Sequence, residues 1–233
     1  IYQISDFTWD NNSDPSIPHD KRFYTPKPGV VQVTGVNVRP GSSKFKDLNG
    51  DGIVDLDNDR TTISRSTPKF FGGLNNTIHY KNFDLNVFLE GAYGNQIFNE
   101  SKYRLEGGVS STWMNINKDF FYNRWTTSNP SNKYGDFSDL NKTATLTSSY
   151  YVEDASYLRL KNVSIGYRFS DQLMKKVGLG SARVYLTGSN LYTWTKYTGY
   201  DPAIQSEDAL MAGFDRISYP RARVYTIGLN VGF

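Results

Sequence analysis

The chain has 233 residues, with 26 Lys+Arg against 23 Asp+Glu, no cysteine, 38% hydrophobic residues and 15% aromatic residues. A formal charge of +3 over this length is too weak for a nucleic-acid footprint, and the absence of cysteine excludes a disulfide framework and thiolate chemistry. The longest uninterrupted apolar run is the four residues Ala209 to Ala212, whereas a membrane helix needs ~20; a β-barrel is not excluded, because its strands alternate and leave no long apolar run.

With 17 Tyr and 14 Phe against 3 Met, and with many Gly, Asn, Asp, Ser and Thr between the apolar positions, the composition reads as all-β with long polar loops. The chain begins at Ile1 without an initiator Met, which reads as a processed or partial chain. In chain order the pattern predicts about six strands, over residues 1–11, 70–80, 83–93, 156–169, 182–194 and 222–233. Phe83, Leu85, Val87 and Leu89 share one face, and Asp84, Asn86, Phe88 and Glu90 the other. Val163, Ile165, Tyr167 and Phe169 alternate with Ser164, Gly166 and Arg168, and Tyr225, Ile227, Leu229, Val231 and Phe233 alternate with Thr226, Gly228, Asn230 and Gly232. His79 falls on the polar face between Ile78 and Tyr80, and over 182–194 the faces are ambiguous. Lys81-Asn82 reads as a tight turn. Residues 170–180 make a second short connection, with a helical turn over Asp171–Lys176 and Ser170 as N-cap. By contrast 12–69, 94–150 and 195–221 are long and polar. Short turns at one end and long loops at the other are the signature of an outer-membrane barrel. Thr226, Gly228, Val231 and Phe233 fit a barrel assembly signal on a terminal strand, and six strands place all three long loops on the extracellular side.

The segment Asp47-Leu48-Asn49-Gly50-Asp51-Gly52-Ile53-Val54-Asp55-Leu56-Asp57-Asn58-Asp59 spaces oxygen donors as a calcium loop does. Asp47, Asn49 and Asp51 fall at positions 1, 3 and 5, the Ile53 carbonyl at 7 and Asp55 at 9. Position 12 is Asn58, flanked by Asp57 and Asp59, and no helix flanks the loop, so it is no EF-hand. Five carboxylates in thirteen residues repel one another, and a structural Ca2+, more than Mg2+, would relieve them; the alternative is an Asx-turn loop without an ion.

Several stretches resemble the SusC/RagA family of TonB-dependent outer-membrane transporters of Bacteroidota. They are Asp47–Gly52, Pro68–Asn76, Tyr157–Tyr167, Gly188–Pro202 and the terminal strand, in the family's order and spread over nearly the whole chain. The resemblance implies the C-terminal antiparallel strands of a large transmembrane barrel of about 22 strands, in the outer membrane of a Gram-negative bacterium. It implies import of glycans or peptides, a SusD-like surface lipoprotein as lid, the TonB complex as energy source acting through a plug domain and TonB box not in this sequence, and assembly by the outer-membrane insertion machinery into the lipid bilayer. Six strands alone would not transport. A scaffold role in a larger outer-membrane complex would keep the same fold, and a secreted calcium-binding β-sandwich that recognises carbohydrate is the rival from another class.

Trp113, Trp125, Tyr197 and Tyr200 lie in the long loops as candidates for ligand or partner contact, although Tyr192, Trp194 and Tyr197 also suit an interfacial aromatic girdle or a packed loop base. Catalysis is not indicated: there are two histidines, His19 and His79, no G-x-S-x-G elbow, and the adjacent Glu153 and Asp154 face opposite ways on a strand.

Overall fold

Period-two alternation builds five long strands and most of the architecture. In the computed structural model, which describes residues 1–9, 24–106, 115–136, 143, 146–204 and 211–233, the named strands are β1 (Phe7–Trp9), β2 (Tyr24–Pro26), β3 (Gln32–Val33), β4 (Ile53–Val54), β5 (Phe70–Tyr80), β6 (Phe83–Tyr93), β7 (Gln96–Asn99), β8 (Val152–Asp154), β9 (Tyr157–Arg168), β10 (Ser181–Thr195), β11 (Phe214–Asp215) and β12 (Val224–Gly232). Three short helices, α1 (Glu100–Leu105), α2 (Lys118–Asn123) and α3 (Asp171–Lys176), join them. The chain forms two units, one of residues 1–63 with 99–151 and one of 64–98 with 152–233.

The second unit is an antiparallel meander in the order β12-β10-β9-β6-β5, each long strand paired with its sequence neighbours. Lys81 adopts φ +52° in the two-residue turn between β5 and β6, a mirror-image conformation that suits the right-handed twist of a hairpin. The register lines up Ile78, Leu85, Ile165, Leu186 and Ile227 in one row across all five strands. Four of these five are strongly solvent-exposed: Ile78, Ile165, Leu186 and Ile227. An apolar face left uncovered in this way belongs to a single wall, not to a two-layer sandwich whose faces bury each other. Aromatic residues close the face at both ends. Phe83 and Tyr167 lie 4.8 Å apart near the short turns, and Phe70 with Tyr93 (5.2 Å) and Tyr192 with Trp194 (4.9 Å) lie at the other end. Ten residue steps from Tyr80 to Phe70 span ~33 Å along the strand, or ~25 Å along a bilayer normal at a ~40° tilt, the height of the apolar band of a membrane barrel.

The first strand expected over 1–11 is not part of this wall. Residues 4–6 form a 3-10 turn, and Phe7–Trp9 pairs with Tyr24–Pro26 in a two-stranded sheet of the first unit. Tyr2 and Phe7, both buried, pack there with Tyr24, Val33 and Val38, so the apolar residues of this stretch serve a local core. Among the described residues the wall therefore has five strands, with β5, β9 and β12 running toward the short-turn end. The ambiguity over 182–194 has a physical cause. The β9–β10 register slips between Ser189 and Tyr192, where Asn190 adopts φ +54°, and the β6–β9 register slips between Phe88 and Leu89, so the apolar positions change parity partway along each strand.

Replacing Ile165 by Lys, at the centre of the exposed apolar row, should cost about 2–4 kcal/mol of insertion energy, whereas Ser164→Lys, on the opposite face, should cost little. Heat-modifiable gel mobility of the membrane-inserted protein reads the difference.

Candidate functional site

On the opposite face the same register assembles a polar wall. Asn86 donates to Asn75 (2.8 Å) and Thr77 (2.9 Å), and Thr187 donates to Ser164 (2.9 Å), with Thr226 directly across from Thr187. Toward the short turns Arg183 of β10 reaches over β9 to Asp84 of β6, donating from Nε at 2.9 Å and Nη2 at 2.5 Å. The residue beneath is Gly166, where a Cβ would stand 2.4 Å from Nη2 of Arg183. Toward the long loops, Lys161 pairs with Glu90 at 2.6 Å, Arg159 with Asp201 at 2.5 Å and with Glu90 at 3.9 Å, and Arg221 with Asp201 at 3.6 Å. Arg159 and Asp201 are both buried. Opposite charges removed from water attract strongly at close range; Arg159 Nε also donates to Thr193 at 2.9 Å, while its Nη1 stands 3.9 Å from Glu90 without a hydrogen bond. This network joins β6, β9 and β10 to the connection before β12.

The loop aromatics divide. Tyr197 is buried and its hydroxyl donates to Asp215 at 2.6 Å; burial first, and Asp215 second, drive its pKa upward. Thr198 beside it donates from its amide and hydroxyl to Glu153, each at 2.8 Å. Tyr197 is thus a loop anchor, not a girdle or ligand-contact residue, and the Glu153-Asp154 pair is structural. Trp125 is fully buried in the first unit and donates from Nε1 to Gln3 at 3.0 Å, so it offers no stacking face either. Tyr200 is exposed and remains available for contact, and Trp113 lies outside the described residues. An exposed aromatic pair, Phe121 and Tyr122 beside Arg124 on α2, was not expected; with Phe120 next to them buried, the sequence gives no sign of which ring faces out.

The Asp-rich loop is folded by its own carboxylates. Asp47 accepts from the amides of Gly50 (2.6 Å) and Gly52 (2.8 Å), Asp51 from Ile53 (2.9 Å), and Asn49 from Asp51 (3.1 Å). Asp59 accepts from Leu48 (2.6 Å) and Asp55 (2.8 Å) and so ties the two ends together. Asp55 accepts from the amides of Asp57 and Asn58, and chiefly the Asn58 amide holds its carboxyl below the usual range. Among the described residues no three acidic or histidine side chains converge as a metal cage; the donors of the expected calcium site stand in sequence around the loop, turned to amides.

The residues of the terminal pattern separate by face. Thr226 and Gly228 face inward with Thr187 and Tyr185, and a Cβ on Gly228 would lie 2.2 Å from the Tyr185 ring. Val231 lies on the outer face opposite Ala182, and Phe233 is exposed beyond the last paired residue.

No family model matches the chain. It is 36% identical over 200 residues to a TonB-dependent receptor, P3, of Formosa agariphila, and 32% identical over 200 residues to receptor P26 of the same organism. It is 29% identical over 206 residues to the TonB-dependent receptor SusC of Bacteroides thetaiotaomicron. These alignments cover 83%, 83% and 87% of the chain but 19%, 20% and 19% of the relatives, so the chain spans about a fifth of the proteins it matches. Among solved structures it is similar to the RagAB peptide importer in its open-open state (TM-score 0.65, 27% identity, 77% of this chain and 19% of that one) and in its closed-closed state (TM-score 0.66, 26%, 80% and 20%).

Substituting Asp201 by Asn should release the connection before β12 at a cost of about 3 kcal/mol, since it leaves Arg159 buried without its partner; hydrogen exchange over 196–204 measures it. In the first unit, burial and then Asp6 push the Tyr2 phenol from the ordinary 10.0 to about 12. A phenol with a raised native pKa keeps its proton in the fold while the unfolded chain loses it, so its contribution is complete below pH 10 and falls as pH rises toward 12. Alkaline unfolding of this unit should follow tyrosine ionisation over that window, and Tyr2→Phe should flatten it.

Proposed function

Because this chain belongs with the SusC/RagA-like TonB-dependent receptors as a segment of their barrel, we propose that it is part of the wall and extracellular surface of an outer-membrane importer. The observation that carries this is the five-stranded meander with a continuous apolar face on one side and a hydrogen-bonded polar face on the other, superposable on a peptide importer. In a bilayer such a wall satisfies every backbone donor and acceptor by pairing with its neighbours, turns aliphatic side chains to lipid and turns Asn, Thr, Ser and the ion pairs to water. In this reading β12 pairs with the first strand of the whole receptor to close the cylinder, and Thr226, Gly228, Val231 and Phe233 are read by the outer-membrane insertion machinery. The cargo is glycan or peptide. Peptide is favoured by the likeness to the RagAB peptide importer, while glycan is what the family resemblance adds. A SusD-like surface lipoprotein covers the extracellular mouth, Tyr200 being an exposed contact candidate, and the TonB complex drives release through the part of the receptor outside these residues. The chain carries no catalytic role in this reading.

The same reading assigns a structural Ca2+ to Asp47, Asn49, Asp51, the Ile53 carbonyl, Asp55 and Asp59. The spacing of the donors and the mutual repulsion of the carboxylates support it; binding would turn these side chains from their amides toward the ion.

Deleting the receptor's gene should abolish growth on one oligopeptide or oligosaccharide class, with restoration by the intact gene. Normal uptake of every candidate in the deletion strain would leave the scaffold role instead. Addition of Ca2+ to the purified receptor should slow hydrogen exchange across 47–59; unchanged exchange together with no heat of binding at millimolar Ca2+ would remove the ion from the account.

A further inference from the structure

The apolar face of the wall is interrupted near its long-loop end by a trough. The register places Gly72, Gly91, Leu158 and Trp194 in one row across β5, β6, β9 and β10, on the same side as Ile78 and Leu85. Two neighbouring positions without side chains open a groove of about 1040 Å³. Leu74 and Leu89 bound it toward the middle of the wall, the stacked Phe70 and Tyr93 toward the long loops, and Trp194 at its flank. Gly91 has an internal reason to be glycine, because a Cβ there would stand 2.7 Å from the Tyr157 carbonyl oxygen. Gly72 has none among the described residues. A Cβ on it would meet nothing within 4 Å, and its φ is not positive. Glycine inside a strand weakens it, and often marks a place where a ligand or another backbone comes close.

The rim of the groove carries charge. Lys69, next to Phe70, lies over Gly94, and its ammonium meets no carboxylate within 4.0 Å among the described residues. Lys196 lines the groove two residues beyond Trp194. Asp154 lines it too, but its carboxylate accepts from the amide (2.9 Å) and hydroxyl (2.5 Å) of Ser156, which together with Lys196 hold it below the usual range. Glu90 belongs to the opposite face, where Lys161 pairs with it at 2.6 Å. Two ammonium groups therefore stand against one carboxylate that is already bonded.

We propose that the groove seats one acyl chain of a phosphate-bearing lipid of the outer leaflet, with the lipid phosphate toward Lys69 and Lys196. This rests on the barrel-wall reading, in which the apolar face meets hydrocarbon and the aromatic end marks the headgroup level. An aliphatic floor below that level suits a chain, and basic side chains at it suit a phosphate. The rest of the apolar face, without such a rim, would meet any lipid alike.

The test uses the full-length receptor reconstituted with lipids whose acyl chains carry bromine, which quenches a tryptophan in contact with it. The Trp194 signal is the difference between wild type and Trp194→Phe. Brominated phosphatidylglycerol should quench it at a lower mole fraction than brominated phosphatidylcholine, by about fivefold for each lysine engaged. Lys69→Gln with Lys196→Gln should remove that preference, and Gly72→Leu should lower quenching by both lipids by filling the groove. Equal quenching by the two lipids, unchanged in the double lysine variant, would mean ordinary bilayer contact and overturn the proposal. Full quenching in Gly72→Leu would overturn it as well. Ile165→Trp, read in the same way, separates the two levels of the argument. Quenching at 165 without quenching at Trp194 would mean that another part of the receptor covers the groove, overturning this proposal alone; quenching at neither would overturn the wall reading. Where Gly72→Leu does not insert, the double lysine variant decides.

Discussion

A polypeptide that crosses hydrocarbon must satisfy each backbone N–H and C=O without help from water. Five strands paired edge to edge in sequence order meet that demand for every residue between two neighbours, and much else follows from it. Continuous pairing fixes the register. The register fixes which side chains share a row, and around the central row of Ile78, Leu85, Ile165, Leu186 and Ile227 it sets aliphatic residues on one face and hydrogen-bonding residues on the other. Isolated in water, the greasy face would be a liability; Ile78, Leu186 and Ile227 stand bare there. In a membrane the same exposure is the contact that holds the sheet in place.

The polar face shows how far pairing by register reaches. A carboxylate on β6 and a guanidinium on β10 are two strands apart, yet they meet because Gly166 leaves the space between them open. At the other end a buried arginine gathers strands and loop through Glu90 and Asp201. The connection before β12 is therefore tethered at its base, by Tyr197 to Asp215, Thr198 to Glu153 and Asp201 to Arg159. Residues that look from composition like an exposed aromatic binding loop serve in part as its footing.

Much of the wall was legible in the sequence because period two is a local signal: Phe83–Leu89 and Tyr225–Phe233 show their faces without any knowledge of their neighbours. What was not legible depends on distant partners. The stretch Ile1–Trp9 has apolar residues in plausible alternation, but its partner strand is Tyr24–Pro26 and its core is local, a difference that no pattern within nine residues reveals. The shift of faces along β9 and β10 comes from register slips that need both strands to be defined. Trp125 and Tyr200 are both loop aromatics, and only tertiary packing sends one inside and leaves the other out. The Asp-rich loop shows its turns plainly in its Gly and Asx spacing, yet side-chain-to-amide bonding and ion coordination call for the same residues at the same positions.

Gly166 and Gly228 set the depth of the layer that side chains build on the polar face. Each sits where a neighbour's long side chain, Arg183 or Tyr185, lies over the strand. Large groups laid parallel to the sheet add little to its thickness, and a β-carbon at either position would force them to stand away from it like bristles. The smoothness of this face is thus governed by the residues with no side chain at all, and a single methyl group would roughen it.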